Sequence, residues 1–352
     1  MGENELIYKT KPTYNIFIRL FSKNFLFSLG LLVIIGWFTM FGFVIVDPHI
    51  SMEKCLEIYI QINICVFVLS ILLLLIIDKM NYMATTYELC SNKINFYEGF
   101  FNHKGVEINL KNINEIHFTQ NYLQKFFGLG TIKFLTAAYD GQNNDNIAFT
   151  DIQNGYEIYE KIKDILLIEE NGVNNEIVIE TKPKYNETVC LFTSAIVKSF
   201  GSIMWLFLGL CWFALFLLPT MTFDNGKCFE QVFGIILHNS FSIVALVFLT
   251  TLIVINYLTK KNYEVTNYKV YSNQLELNEG FINHKHILIK IENIKEIHLT
   301  QNYFQRMADL GTIRFITAAN DSKSIPGTSF NDIVNPLAIY TKLKQIHVNK
   351  ND

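Results

Sequence analysis

The stretch Glu98-Gly-Phe-Phe-Asn-His-Lys104 occurs a second time, with one change, as Glu279-Gly-Phe-Ile-Asn-His-Lys285. The same 181-residue offset relates 112–122 (NINEIHFTQNY) to 293–303 (NIKEIHLTQNY). Repeats of solenoid proteins are only about 20–50 residues long, so an offset of this size indicates a duplicated domain. The chain therefore contains one domain-sized unit in two copies.

Two uncharged apolar runs lie ahead of the repeated stretches in each copy, at 25–46 and 58–77 and again at 199–219 and 239–258. Each has about 20 residues, the length that a helix needs to cross the roughly 30 Å hydrocarbon core of a bilayer. We therefore expect four membrane spans, arranged as two helical hairpins. No Asp, Glu, Lys or Arg lies within a run, which leaves a small-solute transporter as the weakest alternative because ionisable groups usually mark transport pathways.

Basic residues lie just before the first run of each pair and just after the second. Lys9, Arg19 and Lys23 precede the first run, and Lys260 and Lys261 follow the last. Lys and Arg near span ends favour the cytoplasmic side. We expect a multi-pass membrane protein with both termini and both long polar segments in the cytoplasm.

The polar part of each copy has the pattern of an antiparallel sheet followed by one helix. Val106, Ile108 and Leu110 alternate with polar residues, which is the period of a half-buried strand. Helical spacing then begins and places Ile158, Tyr159, Ile162 and Ile165 on one face. In the second copy, Asn335-Pro336 marks the start of the equivalent helix, since Asn is a favoured N-cap and Pro a favoured first helical residue.

These motifs, in this order beside an apolar hairpin, resemble the bacterial membrane-flanked domain, also called the bacterial PH-like domain, in two tandem copies over about 82–166 and 263–347. The resemblance implies an α+β integral membrane protein in which each repeat is a transmembrane helical hairpin followed by a PH-like antiparallel β barrel or sandwich with a C-terminal helix. The predicted segments are an N-terminal cytoplasmic segment (1–24), a first hairpin (25–80), a first PH-like domain (81–169), a linker and pre-membrane segment (170–198), a second hairpin (199–260) and a second PH-like domain (261–352).

PH domains that hold phosphoinositide head groups place several Lys and Arg around the turn after the first strand, where charge-assisted hydrogen bonds converge on phosphate. We interpret Ser91-Asn92 as that turn, and it carries only Lys93; its counterpart, Ser272-Asn273, carries none. The resemblance implies a protein of the bacterial cytoplasmic membrane but no settled activity. The scarcity of cations favours a membrane-anchored scaffold that binds a protein partner or itself, with a lipid-sensing module as the alternative.

Partner or lipid contact is assigned to residues that recur near the repeated Gln-Asn-Tyr motif and in nearby loops. They are Lys104, Gln120, Asn121, Tyr122, Lys125, Phe126 and Phe127 in the first copy, and Lys285, Gln301, Asn302, Tyr303 and Arg306 in the second. A structural corner is the competing interpretation of Gln-Asn-Tyr.

Enzymatic, cofactor, metal and nucleic-acid functions are not predicted. The sequence has no P-loop, GxGxxG or nucleophile-elbow pattern. His103 and His117 recur in the second copy, but a zinc site needs three or four convergent ligands. A net charge of −3 without a basic cluster argues against nucleic acid. Cys55 and Cys228 both lie in the predicted extracellular loops, which connect the two runs of each hairpin. A disulfide between them is left open, because spacing alone does not show whether the two residues approach each other.

Overall fold

The computed structural model describes residues 5–21, 27–28, 30, 52–136, 147–169, 177–191, 201, 246, 248–317 and 328–351. The chain divides into two compact units, Met1–Gly172 and Val173–Asp352. Each unit contains one copy of the repeat.

The first unit has two antiparallel sheets and a C-terminal helix. One sheet contains β1 (Leu6–Thr10), β2 (Thr86–Cys90), β3 (Lys93–Glu98) and β4 (Lys104–Asn109), and the other strands are β5 (Ile113–Gln120), β6 (Leu129–Thr136) and β7 (Ile147–Gln153). The helices are α1 (Ile16–Arg19), α2 (Met52–Ala84), α3 (Tyr122–Phe126) and α4 (Gly155–Glu169). Helix α4 begins directly after β7, as the change from strand to helix spacing predicts.

Aromatic side chains form much of the core between these sheets and α4. Tyr87 of β2 stacks on Phe149 of β7 with ring centroids 4.7 Å apart, and Phe96 lies 5.0 Å from Phe149. On α4, Ile158 and Tyr159 are buried against the same cluster. The predicted apolar face of this helix is therefore confirmed.

The second unit repeats the arrangement. Its strands are β8 (Ile177–Thr181), β9 (Asn267–Tyr271), β10 (Gln274–Glu279), β11 (His284–Lys290), β12 (Ile294–Thr300), β13 (Leu310–Thr317) and β14 (Thr328–Val334). Its helices are α5 (Glu187–Cys190), α6 (248–265), α7 (Tyr303–Met307) and α8 (Pro336–Asn351). Helix α8 begins at Pro336, as predicted.

The first strand of each unit lies ahead of the apolar runs in the sequence. Strand β1 pairs antiparallel with β2, and Lys9 forms an ion pair with Glu88 at 2.8 Å. In the second unit, β8 pairs with β9 in the same way. The predicted domains at 81–169 and 261–352 therefore each lack their first strand, β1 or β8. Both apolar runs separate this strand from its partner in the sequence, so no local alternation of residue types reveals the pairing. Each apolar segment is inserted between the first and second strands of its unit.

This insertion corrects the interpretation of Ser91-Asn92. The turn connects β2 to β3, so it is not the turn after the first strand. The segment in that position is the apolar insertion itself. The single cation at Ser91-Asn92-Lys93 consequently says little about head-group binding.

Helix α2 contains the predicted run 58–77 and continues to Ala84. Within the described part of the chain, its residues 60–84 are the one helical stretch long and apolar enough to cross a membrane. The run 239–258 is described only in part, with 248–258 helical, and 25–46 and 199–219 lie almost wholly outside the described residues. Beyond the apolar run, Tyr82 of helix α2 donates a hydrogen bond to Asp151 of β7.

Candidate functional site

Asp151 is the centre of a polar cluster where the strands of the first unit meet its helices. It is only 2% exposed. Gln124 Nε2 of α3 donates to Asp151 Oδ1 at 2.6 Å, and Tyr82 Oη of α2 donates to Oδ2 at 2.5 Å. Arg19 of α1 forms an ion pair with the same carboxylate, and its guanidinium lies 4.5 Å from the Tyr82 ring centroid. We call Arg19, Tyr82, Gln124 and Asp151 the junction cluster.

The backbone of Asp151 contributes to the same junction. Its φ is +49°, in the left-handed region, which Asp and Asn occupy more readily than most residues. The Thr13 N–H donates to the Asp151 carbonyl at 2.8 Å. One residue before α1, Asn15 caps that helix by accepting from Phe17 and Ile18. The chain entering the apolar segment is thus held by both the backbone and the side chain of one aspartate.

The second unit keeps the cluster with one substitution. Gln305 Nε2 donates to Asp332 Oδ1 at 2.6 Å, and Tyr263 Oη donates to Oδ2. Burial, followed by the nearby Asp332 carboxylate, raises the pKa of Tyr263, so that tyrosine stays protonated and remains a donor. Cys190, buried at the end of α5, occupies the place of Arg19. The second cluster therefore contains the carboxylate without the arginine.

A turn after the third strand is bonded to the end of the long helix. The Phe100 N–H donates to Asn81 Oδ1 of α2 at 3.1 Å. The counterpart in the second unit is the Phe281 N–H, which donates to Asn262 Oδ1 at 3.1 Å. Both turns contain a glycine with positive φ, and we call 99–103 and 280–283 the β3–β4 and β10–β11 turns.

A cavity of about 670 Å³ lies beside the β3–β4 turn. Its walls include Tyr87 and Phe96 of the core strands, with Glu98 and Lys104 from the two sides of the turn. Ligand-binding pockets are commonly about 300–1,000 Å³. Glu98 and Lys104 are cross-strand partners, so the cavity combines an aromatic wall with one residue of each charge.

The family model described as "Bacterial PH domain" matches residues 26–165 and 206–342. The chain belongs to the bacterial PH domain family. Both matched regions include apolar sequence as well as strands, and the first begins after β1. PH domains generally bind proteins or lipids. No curated protein matches the sequence.

The predicted contact residues of the first PH domain are concentrated on α3. Tyr122 is 64% exposed and Phe126 is 74% exposed, and Lys125 between them is also exposed. Phe127 is half-buried and stacks on Phe17 of the α1 helix, with ring centroids 6.1 Å apart. Helix α3 therefore lies beside the segment that leads into the first apolar run.

Helix α7 of the second PH domain presents a similar surface. Tyr303 and Met307 are exposed, and Arg306 lies between them. Met307 takes the place of Phe126 and was not among the predicted residues. We call the exposed side chains of α3 and α7 the short-helix surfaces.

The amide residues of the repeated motif have structural roles. Asn121 and Asn302 cap α3 and α7 in capping boxes with Gln124 and Gln305. Gln120 Nε2 donates to the Leu129 carbonyl at 2.6 Å. Gln301 does the same to the Leu310 carbonyl at 2.7 Å. These contacts favour the interpretation of Gln-Asn-Tyr as a structural corner.

Lys104 and Lys285, which were also predicted as contact residues, lie in the strands that follow the two turns. They are distant in sequence from the short helices.

The histidines do not assemble a metal site in the described residues. His117 bonds to Glu115 at 2.6 Å, and His298 bonds to Glu296 at 2.6 Å. No group of three His, Cys, Asp or Glu side chains that could hold a metal ion occurs in the part of the chain that the structure describes.

Cys228 lies outside the described residues, so a disulfide with Cys55 is untested.

Sequence reasoning missed the junction cluster. The signal was present, because Asp151 and Asp332 are related by the repeat offset and each precedes an isoleucine in the last strand of its unit. The partners of Asp151 come from α1, α2 and α3, at separations of 27 to 132 residues. No local spacing pattern connects groups so far apart in the chain.

Proposed function

We propose that the chain is a membrane-anchored scaffold whose two PH domains bind a protein partner at the cytoplasmic face of a bacterial membrane. Four spans anchor it, at 25–46, 58–77, 199–219 and 239–258. The observation that carries the proposal is the pairing of β1 with β2 across the first apolar segment.

Hydrogen-bonded strands lie on one side of a membrane, so the chain between Thr10 and Thr86 crosses it an even number of times. Residues 60–84 supply one helix of sufficient length and apolarity. A single crossing would separate β1 from β2; the run 25–46 therefore supplies the second. The pairing of β8 with β9 imposes the same condition on 199–219 and 239–258.

The cytoplasmic orientation follows from the basic residues. Arg19 belongs to the junction cluster at the entry to the first span, and Lys79 lies near the exit of the second. Lys260 and Lys261 occupy the matching exit in the second copy. Positive charge at the span ends that connect to the PH domains supports a cytoplasmic position for those domains.

The short-helix surfaces supply the binding site. Tyr122, Phe126, Tyr303 and Met307 are exposed, and each pair is accompanied by Lys125 or Arg306. Aromatic residues, Met and Arg are enriched in protein interfaces, and Tyr and Arg are frequent energetic hot spots. The stacking of Phe127 on Phe17, which lies shortly before the run 25–46, supports a position of this surface close to the membrane. We expect the partner to be a membrane protein or a second copy of this chain.

Photo-cross-linking in native membranes tests this binding site. We expect p-benzoylphenylalanine in place of Phe126 or Met307 to give discrete protein adducts. The matched controls carry the same amino acid in place of Lys111 or Glu292, which are exposed in the turns after β4 and β11. Tyr122→Ala should weaken the adduct formed at position 126 without changing the amount of folded protein, since exposed substitutions usually change stability by less than about 0.5 kcal/mol.

The size of the adduct identifies the partner. Twice the mass of the chain indicates self-association, and another discrete mass indicates a different protein. Adducts confined to lipid at 126 and 307, or identical protein adducts at 111 and 292, would reject a protein-binding role for the short-helix surfaces.

A further inference from the structure

We infer that the β3–β4 and β10–β11 turns lie in the interfacial layer of the membrane, where their apolar side chains contact lipid and set the orientation of each PH domain. The inference rests on the proposed membrane anchoring. It concerns a lipid surface, and it is separate from the protein-binding surfaces on α3 and α7.

The depth of the first turn follows from its bond to α2. Asp78 and Lys79 are the first charged residues after the apolar run, so they mark the end of the hydrocarbon core. Asn81 is three residues beyond Asp78, or about 4.5 Å along a helix. The polar layer of a bilayer extends roughly 5–7 Å beyond the hydrocarbon on each side. The Asn81 side chain, and the Phe100 N–H that donates to it at 3.1 Å, therefore lie within that layer.

The turns expose apolar side chains at this depth. Phe101 is 66% exposed, and Phe100 beside it is also exposed. Their rings form an edge-to-face pair with centroids 5.1 Å apart. In the second unit, Phe281 and Ile282 are both exposed in the corresponding turn. Apolar side chains, including Phe, bury at the boundary of the headgroups and acyl chains in segments that lie in the membrane interface.

The backbone of each turn holds these side chains in place. Gly99 has φ +94°, and a Cβ there would lie 1.9 Å from the Asn102 carbonyl oxygen. Gly280 has φ +110°, and a Cβ would lie 1.6 Å from the Asn283 carbonyl oxygen. Glycine is therefore required at both positions. The tight turn, the asparagine bond and the apolar tip occur together in both copies, although Phe101 is replaced by Ile282.

The opposite end of the same hairpin is separated from the turn by the full length of the strands. Strand β3 has six residues, which span about 20 Å at roughly 3.3 Å per residue. Lys111, in the turn that follows β4, is at this far end and is exposed. Glu292 has the corresponding position in the second unit. These two residues provide matched aqueous controls for the turns.

Spin-label accessibility in lipid nanodiscs tests the inference. Single cysteines replace Phe101, Ile282, Lys111, Glu292 or Leu72 in a full-length protein freed of its native cysteines, and each carries the same nitroxide. Leu72 is exposed on α2 within the apolar run and reports on anchoring itself. Collisions with molecular oxygen, which concentrates in hydrocarbon, are compared with collisions with a water-soluble nickel chelate.

We expect labels at 101 and 282 to lose most of the nickel collisions seen at 111 and 292, and to gain oxygen collisions, with the label at 72 the most oxygen-accessible. Nickel access at 101 and 282 equal to that at 111 and 292, with 72 still in hydrocarbon, would overturn the inference and leave the anchoring intact. Nickel access at 72 would reject the anchoring and, with it, the inference.

Discussion

Replacing Asp151 with asparagine is expected to lower the free energy of unfolding of the first unit by about 3–5 kcal/mol, the usual cost of removing one member of a buried ion pair. The substitution removes the carboxylate that Arg19 faces. It also replaces one acceptor oxygen by an NH₂ group, while Tyr82 and Gln124 both donate to the carboxylate. Asparagine tolerates the positive φ of this position, so backbone strain adds little.

Asp332→Asn is the matched control, because the second unit has Cys190 where the first has Arg19. We expect it to cost only about 1–3 kcal/mol, the range for a buried hydrogen bond that loses its charged partner. Hydrogen exchange of the full-length protein measures both units in one molecule, through amides of β6 for the first and β13 for the second. Equal effects of the two substitutions would show that Arg19 contributes nothing to the junction.

Phe149→Ala is expected to destabilise the first unit by about 3–5 kcal/mol, as large-to-small substitutions of buried aromatic residues do. Phe149 is 0% exposed. It stacks on Tyr87 and lies 5.2 Å from Phe134, so its removal leaves a cavity between the two sheets. Hydrogen exchange in β2 and β7 should accelerate while exchange in β9 and β14 of the second unit stays unchanged.

Phe126→Ala makes the same chemical truncation on the exposed face of α3. We expect a change within about 0.5 kcal/mol, because exposed side chains away from special features contribute little to folding. Cross-linking from position 122 to the partner should nevertheless be lost. If Phe126→Ala destabilised the unit as strongly as Phe149→Ala, the exposed ring would have a packing role and the short-helix surface would lose its assignment.

The sequence predicted most of the strands and the C-terminal helices because their signals are local. Alternation at Val106 and Ile108 and helical spacing at Ile158 and Tyr159 each lie within one element, and the repeat shows every pattern twice. The start of the second C-terminal helix could be predicted from two adjacent residues, Asn335 and Pro336. Such signals follow from backbone geometry and do not depend on distant partners.

The first strand and the junction cluster could not be predicted in this way. Leu6–Thr10 is a short segment whose partner, Thr86–Cys90, is separated from it by both apolar runs. Arg19 and Asp151 are 132 residues apart. Their approach depends on the whole fold of the unit, so the spacing of residue types contains no record of it. The same limitation caused Ser91-Asn92 to be interpreted as the turn after the first strand.

The insertion of each apolar segment within a PH domain has a structural consequence. Both ends of the segment connect to one compact unit, and the junction cluster joins them there through Arg19 on the entering side and Tyr82 on the exiting side. The Asp151 carboxylate of β7 is therefore in contact with both ends of the apolar segment. The arginine-free second cluster predicts a weaker connection in the second unit.

Single-cysteine labelling from outside intact cells tests the central claim most directly, that both PH domains, including the strand ahead of the first apolar segment, are cytoplasmic. A membrane-impermeant maleimide is applied to full-length variants with one cysteine in place of Ile7, Tyr97 or Lys344, all exposed in the structure, or within 47–57 or 220–230. We predict labelling only at 47–57 and 220–230, with the other three sites reacting after the cells are permeabilised. Labelling of position 7, 97 or 344 in intact cells would contradict the account.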